Sequence, residues 1–206
     1  MVSYLEHMRR VHFYILVFTG SLGLLRPVSL WATATQTPPE IVIDVDVQEL
    51  KVVKEGQEIA KFPISTSKFG LGDEFRSYKT PVGVFRVCAK TGENLPMGAV
   101  LKGGQFTGEV LQPDAPGRDP IVTRMIRLTG LESQNRHTMA RGIFIHGTPE
   151  ERRIGQPVSW GCIRMRSRDV VALYKQVPVG TRVVICSTGR HGPLEQLGSW
   201  MSKLWA

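Results

Sequence analysis

Cysteine is scarce in this chain: Cys88, Cys162 and Cys186 are the only three in 206 residues. No C-x-x-C pair occurs among them, which removes zinc-ribbon and thioredoxin-like readings. An odd count leaves at least one thiol free or paired with another molecule, and a Cys88–Cys186 disulfide is compatible with the sequence. Arginine-rich tracts and basic stripes interleaved with aromatics are also missing, so the net charge of +8 does not by itself read as nucleic-acid binding. A pI near 9.7 favours encounter with any polyanion, an anionic membrane or an acidic wall polymer included. Internal repeats are absent. The longest apolar run, Val11 to Leu25, is about 15 residues, short of the roughly 20 that cross a bilayer.

What that run does resemble is the hydrophobic stretch of an export signal. Arg9 and Arg10 precede it, and Ala32-Thr33-Ala34 follows with the small-x-small pattern of a signal-peptidase site. Residues 1–34 are therefore expected to be a signal peptide, with an uncleaved membrane anchor as the alternative. Residues 35–40 read as a proline-containing linker. The remainder is 41–188 as one domain and 189–206 as a tail, in which Leu194, Leu197, Trp200, Met201, Leu204 and Trp205 have helical spacing. An amphipathic helix packed on the domain, or in contact with a membrane, fits that spacing.

Hydrophobic content of 42%, with 13 prolines and 21 glycines punctuating short apolar runs, points to a mostly β domain rather than a helical bundle. Ile41, Ile43, Val45 and Val47 alternate with polar residues, and Leu50 to Val53, a turn at Glu55-Gly56, then Ile59 to Ile64 continue as a meander. Further strands are expected at Val82 to Ala89, Ile121 to Leu128, Gly142 to Ile145 and Val179 to Cys186. Residues 68–79 read as a loop, and 92–119 as a long surface excursion without periodicity. One helix is expected after residue 166, capped by Ser167, with Asp169 in its first turn and Val170, Val171, Leu173 and Tyr174 on its apolar face.

The chemistry concentrates in Ile145-His146-Gly147-Thr148 and Ser159-Trp160-Gly161-Cys162-Ile163-Arg164-Met165. A thiol with an unperturbed pKa of about 8.5 is mostly protonated at neutral pH and needs a base to become a nucleophile. His146 ends an apolar strand, and Cys162 sits in a glycine turn sixteen residues later. A strand, loop and return of that length can bring base and thiol to one sheet edge, giving a thiolate–imidazolium pair. Gly161 allows close approach of a substrate backbone, and the amides at 161–162 could line an oxyanion hole. Against this stand two bland readings: unrelated polar residues, or a zinc site from His137, His146 and Cys162, which lacks short paired-ligand spacing.

These two segments resemble the signature of the L,D-transpeptidase (YkuD) family, a His-Gly followed by a loop and Ser-His-Gly-Cys, often continuing Ile-Arg-Met. Ile64-Ser65-Thr66-Ser67, Thr80-Pro81-Val82-Gly83-Val84-Phe85 and Gly180-Thr181 are similar to further landmarks of the family, so the resemblance runs over roughly 41–186. It implies a YkuD-like β-sandwich or mixed sheet with one helix after the cysteine loop. It also implies an enzyme without cofactor or metal, taking the stem tetrapeptides of peptidoglycan as donors. Cys162 would form a thioester with release of D-Ala, His146 would be the base, and the Gly147 carbonyl would orient the imidazole. Ser159, Trp160, Gly161 and Arg164 would shape the substrate pocket, Arg164 either holding a substrate carboxylate or forming a structural salt bridge. The acyl acceptor would be a stem amine, a lysine of a wall-anchored protein, or water. The expected setting is the periplasm or cell envelope, and the expected state a monomer. One departure is plain: Trp160 stands where the family usually has a second histidine, and it cannot titrate. A non-catalytic wall-binding module of the same fold is the competing reading. Sortases and NlpC/P60 peptidases fit worse, because the spacing of His146, Cys162 and Arg164 and their order in the chain differ from theirs.

Overall fold

The computed structural model describes residues 37–187; the expected leader and the tail helix lie outside them. Three strands open the domain, β1 (Glu40–Asp44), β2 (Glu49–Lys54) and β3 (Gln57–Pro63), joined as an antiparallel meander. The β2–β3 link is the expected two-residue turn, with Glu55 and Gly56 at φ 53° and 75°, the positive-φ pair that matches strand twist. β1 stops earlier than its alternation suggested. The chain turns at residues 45–48 and leaves Val47 56% exposed, while Gln48 buries its amide against the Val45 carbonyl and Thr66 Oγ1.

Then follow β4 (Gly83–Thr91), β5 (Ala99–Lys102), β6 (Gln105–Val110), β7 (Val122–Gly130), β8 (Phe144–Gly147), β9 (Ile163–Met165), α1 (Ser167–Gln176) and β10 (Arg182–Cys186). The order across the sheet is β3-β2-β1-β10-β4-β7-β5-β6, with β8 also on β7 and β9 on β8. Most pairs are antiparallel, but β1–β10 and β8–β9 are parallel. Among the described residues the architecture is a mostly β, mixed sheet with one α-helix, as expected.

Three details differ from the expectation. The excursion at 92–119 holds a hairpin, β5–β6, closed by Gly103-Gly104 at φ 60° and 81°. Neither strand shows period-2 alternation, because β5 is short and almost wholly buried while β6 is almost wholly exposed. A strand was not expected at 163–165 either, yet β9 is there, three residues long and wholly buried, with Arg164 between two apolar residues. Ser167 is the first helical residue rather than the cap. Its amide is satisfied by Glu151 Oε1 at 2.8 Å, and its hydroxyl accepts from Thr123 Oγ1 at 2.8 Å.

The core lies where α1 covers the sheet. Val170, Leu173 and Val177 meet Ile126, Leu128, Ile145 and Met165, each at most 1% exposed. This packing holds β7, β8 and β9, of which β8 carries His146 and β9 follows Cys162. No disulfide forms: all three cysteines are free thiols. In the β4–β10 register Arg86 faces Arg182 and Gly83 faces Ile185, so Cys88 and Cys186 lie at opposite ends of that ladder and cannot meet.

Candidate active site

β8 and β9 run side by side with Ile145 opposite Ile163, His146 opposite Arg164 and Gly147 opposite Met165. Cys162 precedes β9 by one residue, two positions before Arg164, and alternation puts it on the face that Arg164 shares with His146. The parallel pair thus gathers base, thiol and guanidinium on one face. The sheet holds it there because Ile145, Ile163 and Met165 point into the core from the opposite face and are fully buried.

His146 is 5% exposed. Its Nδ1 lies 2.8 Å from the Gly147 carbonyl. A carbonyl can only accept, so Nδ1 carries the proton and Nε2 is left with its lone pair. Burial lowers the imidazole pKa to about 4; the bond to Gly147 and the charge of Asp119 oppose the fall, and Arg164 adds to it. Gly147 must be glycine because a Cβ there would come within 2.5 Å of the Val122 carbonyl.

The Cys162 thiol lies 3.5 Å from the Gly142 carbonyl. Burial pushes its pKa up, while a hydrogen bond from the Phe144 amide and the guanidiniums of Arg164 and Arg141 pull it down. Both shifts favour uncharged groups. Burial thus works against the preformed thiolate–imidazolium pair that the spacing suggested.

The other expected site residues divide clearly. Ser159 is fully buried, donates from Oγ to the Cys162 carbonyl at 2.6 Å and accepts the Gly161 amide at 3.2 Å, so it shapes the turn from inside. That bond spends the Gly161 amide and withdraws it from any oxyanion hole. Gly161 is at φ 118°, where a Cβ would press on the Lys79 carbonyl at 3.2 Å and Ile143 at 3.3 Å. Arg164 uses its fork internally: it pairs with Asp119 and, at 3.3 Å, with Glu150, and its side chain is 9% exposed. Trp160 is 54% exposed and packs edge-on against Phe69 and Tyr78, both at 5.2 Å between ring centroids. His137 is held by Asp73 and its ring lies tilted against Phe75 at 4.6 Å.

Several contributing residues were missed at the level of sequence. Residues 65–68 run along the cysteine turn, with Ser65 and Arg164 exchanging two backbone bonds at 2.9 Å and the Lys68 amide donating to the Ser159 carbonyl at 3.2 Å. Thr80 Oγ1 donates to the Gly161 carbonyl at 3.0 Å. Asp73 and Arg141, both buried, form an ion pair at 3.0 Å, and Arg141 also donates to the Lys79 carbonyl at 2.7 Å, tying the 68–79 loop to the strand that delivers His146. Asp119, Asp73 and Arg141 stand in loops with no local pattern to distinguish them from solvated charges. Only their burial in matched pairs does so.

Known proteins with similar sequences and folds exist. The family model for the L,D-transpeptidase catalytic domain (YkuD) matches residues 38–185. The chain is 31% identical over 152 residues to the Bacillus subtilis protein YqjB, which is named as an L,D-transpeptidase, covering 74% of this chain and 73% of that one. It is 56% identical over 41 residues to Bacillus subtilis YkuD, named likewise, covering 20% of this chain and 25% of the relative. Among solved structures, an L,D-transpeptidase from Mycobacterium smegmatis aligns at 20% identity and a TM-score of 0.49, covering 73% of this chain and 59% of that one.

Proposed function

From the chain's place in the L,D-transpeptidase family, whose YkuD catalytic domain it carries, we propose that it is a cysteine acyltransferase acting on stem tetrapeptides of peptidoglycan. Cys162 Sγ attacks the carbonyl of the third, diamino-acid residue. A C–S bond forms, the C–N bond to the terminal D-Ala breaks, and the thiol proton passes through His146 Nε2 to the departing amine. An amine then attacks the thioester and regenerates the thiol. The carrying observation is the Nδ1 bond from His146 to the Gly147 carbonyl, which leaves Nε2 as acceptor on the face shared with Cys162. Because thiol and imidazole both rest uncharged, proton transfer accompanies attack instead of preceding it. Trp160 needs no proton in this scheme, since one imidazole serves both half-reactions.

Residues 1–34 as an export signal, 41–188 as the catalytic domain, action as a monomer and a place in the cell envelope complete the reading. A stem amine as acceptor gives a 3-3 cross-link, a protein lysine an attachment and water a carboxypeptidase. The test is mass spectrometry of purified protein with a tetrapeptide donor or a carbapenem. Wild type should gain the acyl mass on Cys162, while Cys162→Ala should gain none and His146→Ala should acylate at least a hundredfold more slowly, about 3 kcal/mol in activation free energy. Unimpaired acylation of the His146 variant would remove the base assignment. Stem peptides recovered from the same incubation identify the acceptor.

A further inference from the structure

A cation near the thiol would favour a donor peptide with free carboxylates, and Arg164 is committed elsewhere, closed in by Asp119 and Glu150. Lys68 is the cation at the open side. Its backbone amide is bonded to Ser159, three residues before Cys162, so its ammonium stands within one or two peptide residues of the sulfur's turn. Among the described residues its ammonium has rings rather than carboxylates for partners: Nζ lies 4.5 Å from the Trp160 centroid and 5.1 Å from that of Phe69. The neighbouring Lys79, by contrast, is paired with Glu74 at 3.8 Å.

We propose that Lys68, held on the indole of Trp160, binds a carboxylate of the donor peptide and so selects the donor; the proposal rests on the transpeptidase reading above. Trp160 packs edge-on against both Phe69 and Tyr78, which lie 5.8 Å from each other, so the three rings form a triangle that supports the indole under its lysine. A cation over a π face is attracted by the ring yet keeps its outer side free for an anion. Its ordering cost is met before the ligand arrives. The arrangement also accounts for the tryptophan in place of histidine. Indole is the strongest cation–π face, whereas a protonated imidazole at position 160 would repel the ammonium. Two carboxylates could be the one that is read: the terminal one on the fourth residue, or the side-chain one on a third residue of diaminodicarboxylic type.

Three donors separate these sources: the free acid, the same peptide amidated at its C-terminus, and the peptide amidated on the third residue's side-chain carboxylate. Lys68→Gln should lower kcat/KM on the free acid by roughly tenfold or more, chiefly through KM. One of the two amidated donors should show no such loss, and that donor identifies the carboxylate. Lys68→Arg should restore most of the loss, and Trp160→Ala should reproduce part of it. Equal losses on all three donors, or no loss on any, would overturn the proposal. Calorimetric binding of the same donors to Cys162→Ala, with and without Lys68→Gln, needs no turnover. If wild type cleaves none of the donors, the acyltransferase reading fails, and binding still decides: the free acid must bind more tightly than one amide, and only when Lys68 is present. Equal or undetectable binding there sinks the role of Lys68.

Discussion

At Gly161 the backbone is at φ 118°, with the carbonyls of Lys79 and Tyr78 and the side chain of Ile143 closing on the place of a Cβ. Gly161→Ala is therefore strained twice, by conformation and by contact, and should cost about 1–3 kcal/mol in unfolding free energy. Acylation should fall more than that figure suggests, because Cys162 is the next residue. Chemical denaturation and acylation rates on the same preparation check both. The reacting pair makes a second prediction. Burial keeps the Cys162 thiol protonated at neutral pH, so alkylation by iodoacetamide should be slow at pH 6 to 8 and rise only under alkaline conditions. Fast labelling at pH 6 would show a preformed thiolate and contradict the neutral pair. Cys186 is also pushed up, to about 11, by burial and by Asp44 and Asp46, so it should not compete for the reagent.

Among the elements, the parallel β8–β9 pair and the 68–79 loop do different work. The strand pair places His146 and Arg164 opposite each other; the loop packs against the cysteine turn through Lys68 and Lys79. The loop is anchored by Asp73, whose carboxylate takes the His137 amide at 2.6 Å, the Thr138 hydroxyl at 3.1 Å and Arg141 at 3.0 Å. Removing one member of a buried ion pair leaves the other uncompensated. Asp73→Ala should therefore destabilise the fold by about 3 kcal/mol and weaken donor binding, both visible by thermal melting and calorimetry. A strained position supports the same region: Thr123, a β-branched residue at φ 70°, sits in the bulge where β7 faces His146 and Gly147. Its hydroxyl accepts the Gly98 amide at 2.9 Å and donates to Ser167 at 2.8 Å. Two buried hydrogen bonds offset the backbone cost there, and loss of the hydroxyl in Thr123→Val should lower stability by about 2 kcal/mol.

For the whole molecule, β10 lies in the middle of the sheet, between β1 and β4, and so ties the meander to the strands that lead to His146. Global stability is coupled to the site through His146. In the unfolded chain the imidazole titrates near 6.5; in the fold it titrates near 4. As pH drops below 6.5 the unfolded state takes a proton that the folded state refuses, so stability is full above 6.5 and declines as pH falls toward 4. Between pH 7 and pH 5 the loss from this one group should be about 2 kcal/mol, and His146→Gln should flatten that part of the profile in urea titrations. Much of this architecture was legible in the amino-acid order. Alternation marked β1, short apolar runs marked β2, β4 and β7, Glu55-Gly56 marked a hairpin, and the His-Gly and Ser-Trp-Gly-Cys segments marked the candidate site, because each is a local pattern read over a few neighbours. The buried β9, the short β5–β6 hairpin, the capture of Arg164 by Asp119 and Glu150, and the stacking of Lys68 on Trp160 came only with the folded chain. Each depends on groups brought together from distant parts of the sequence, where burial decides whether a charge is spent on its own protein or left for a ligand.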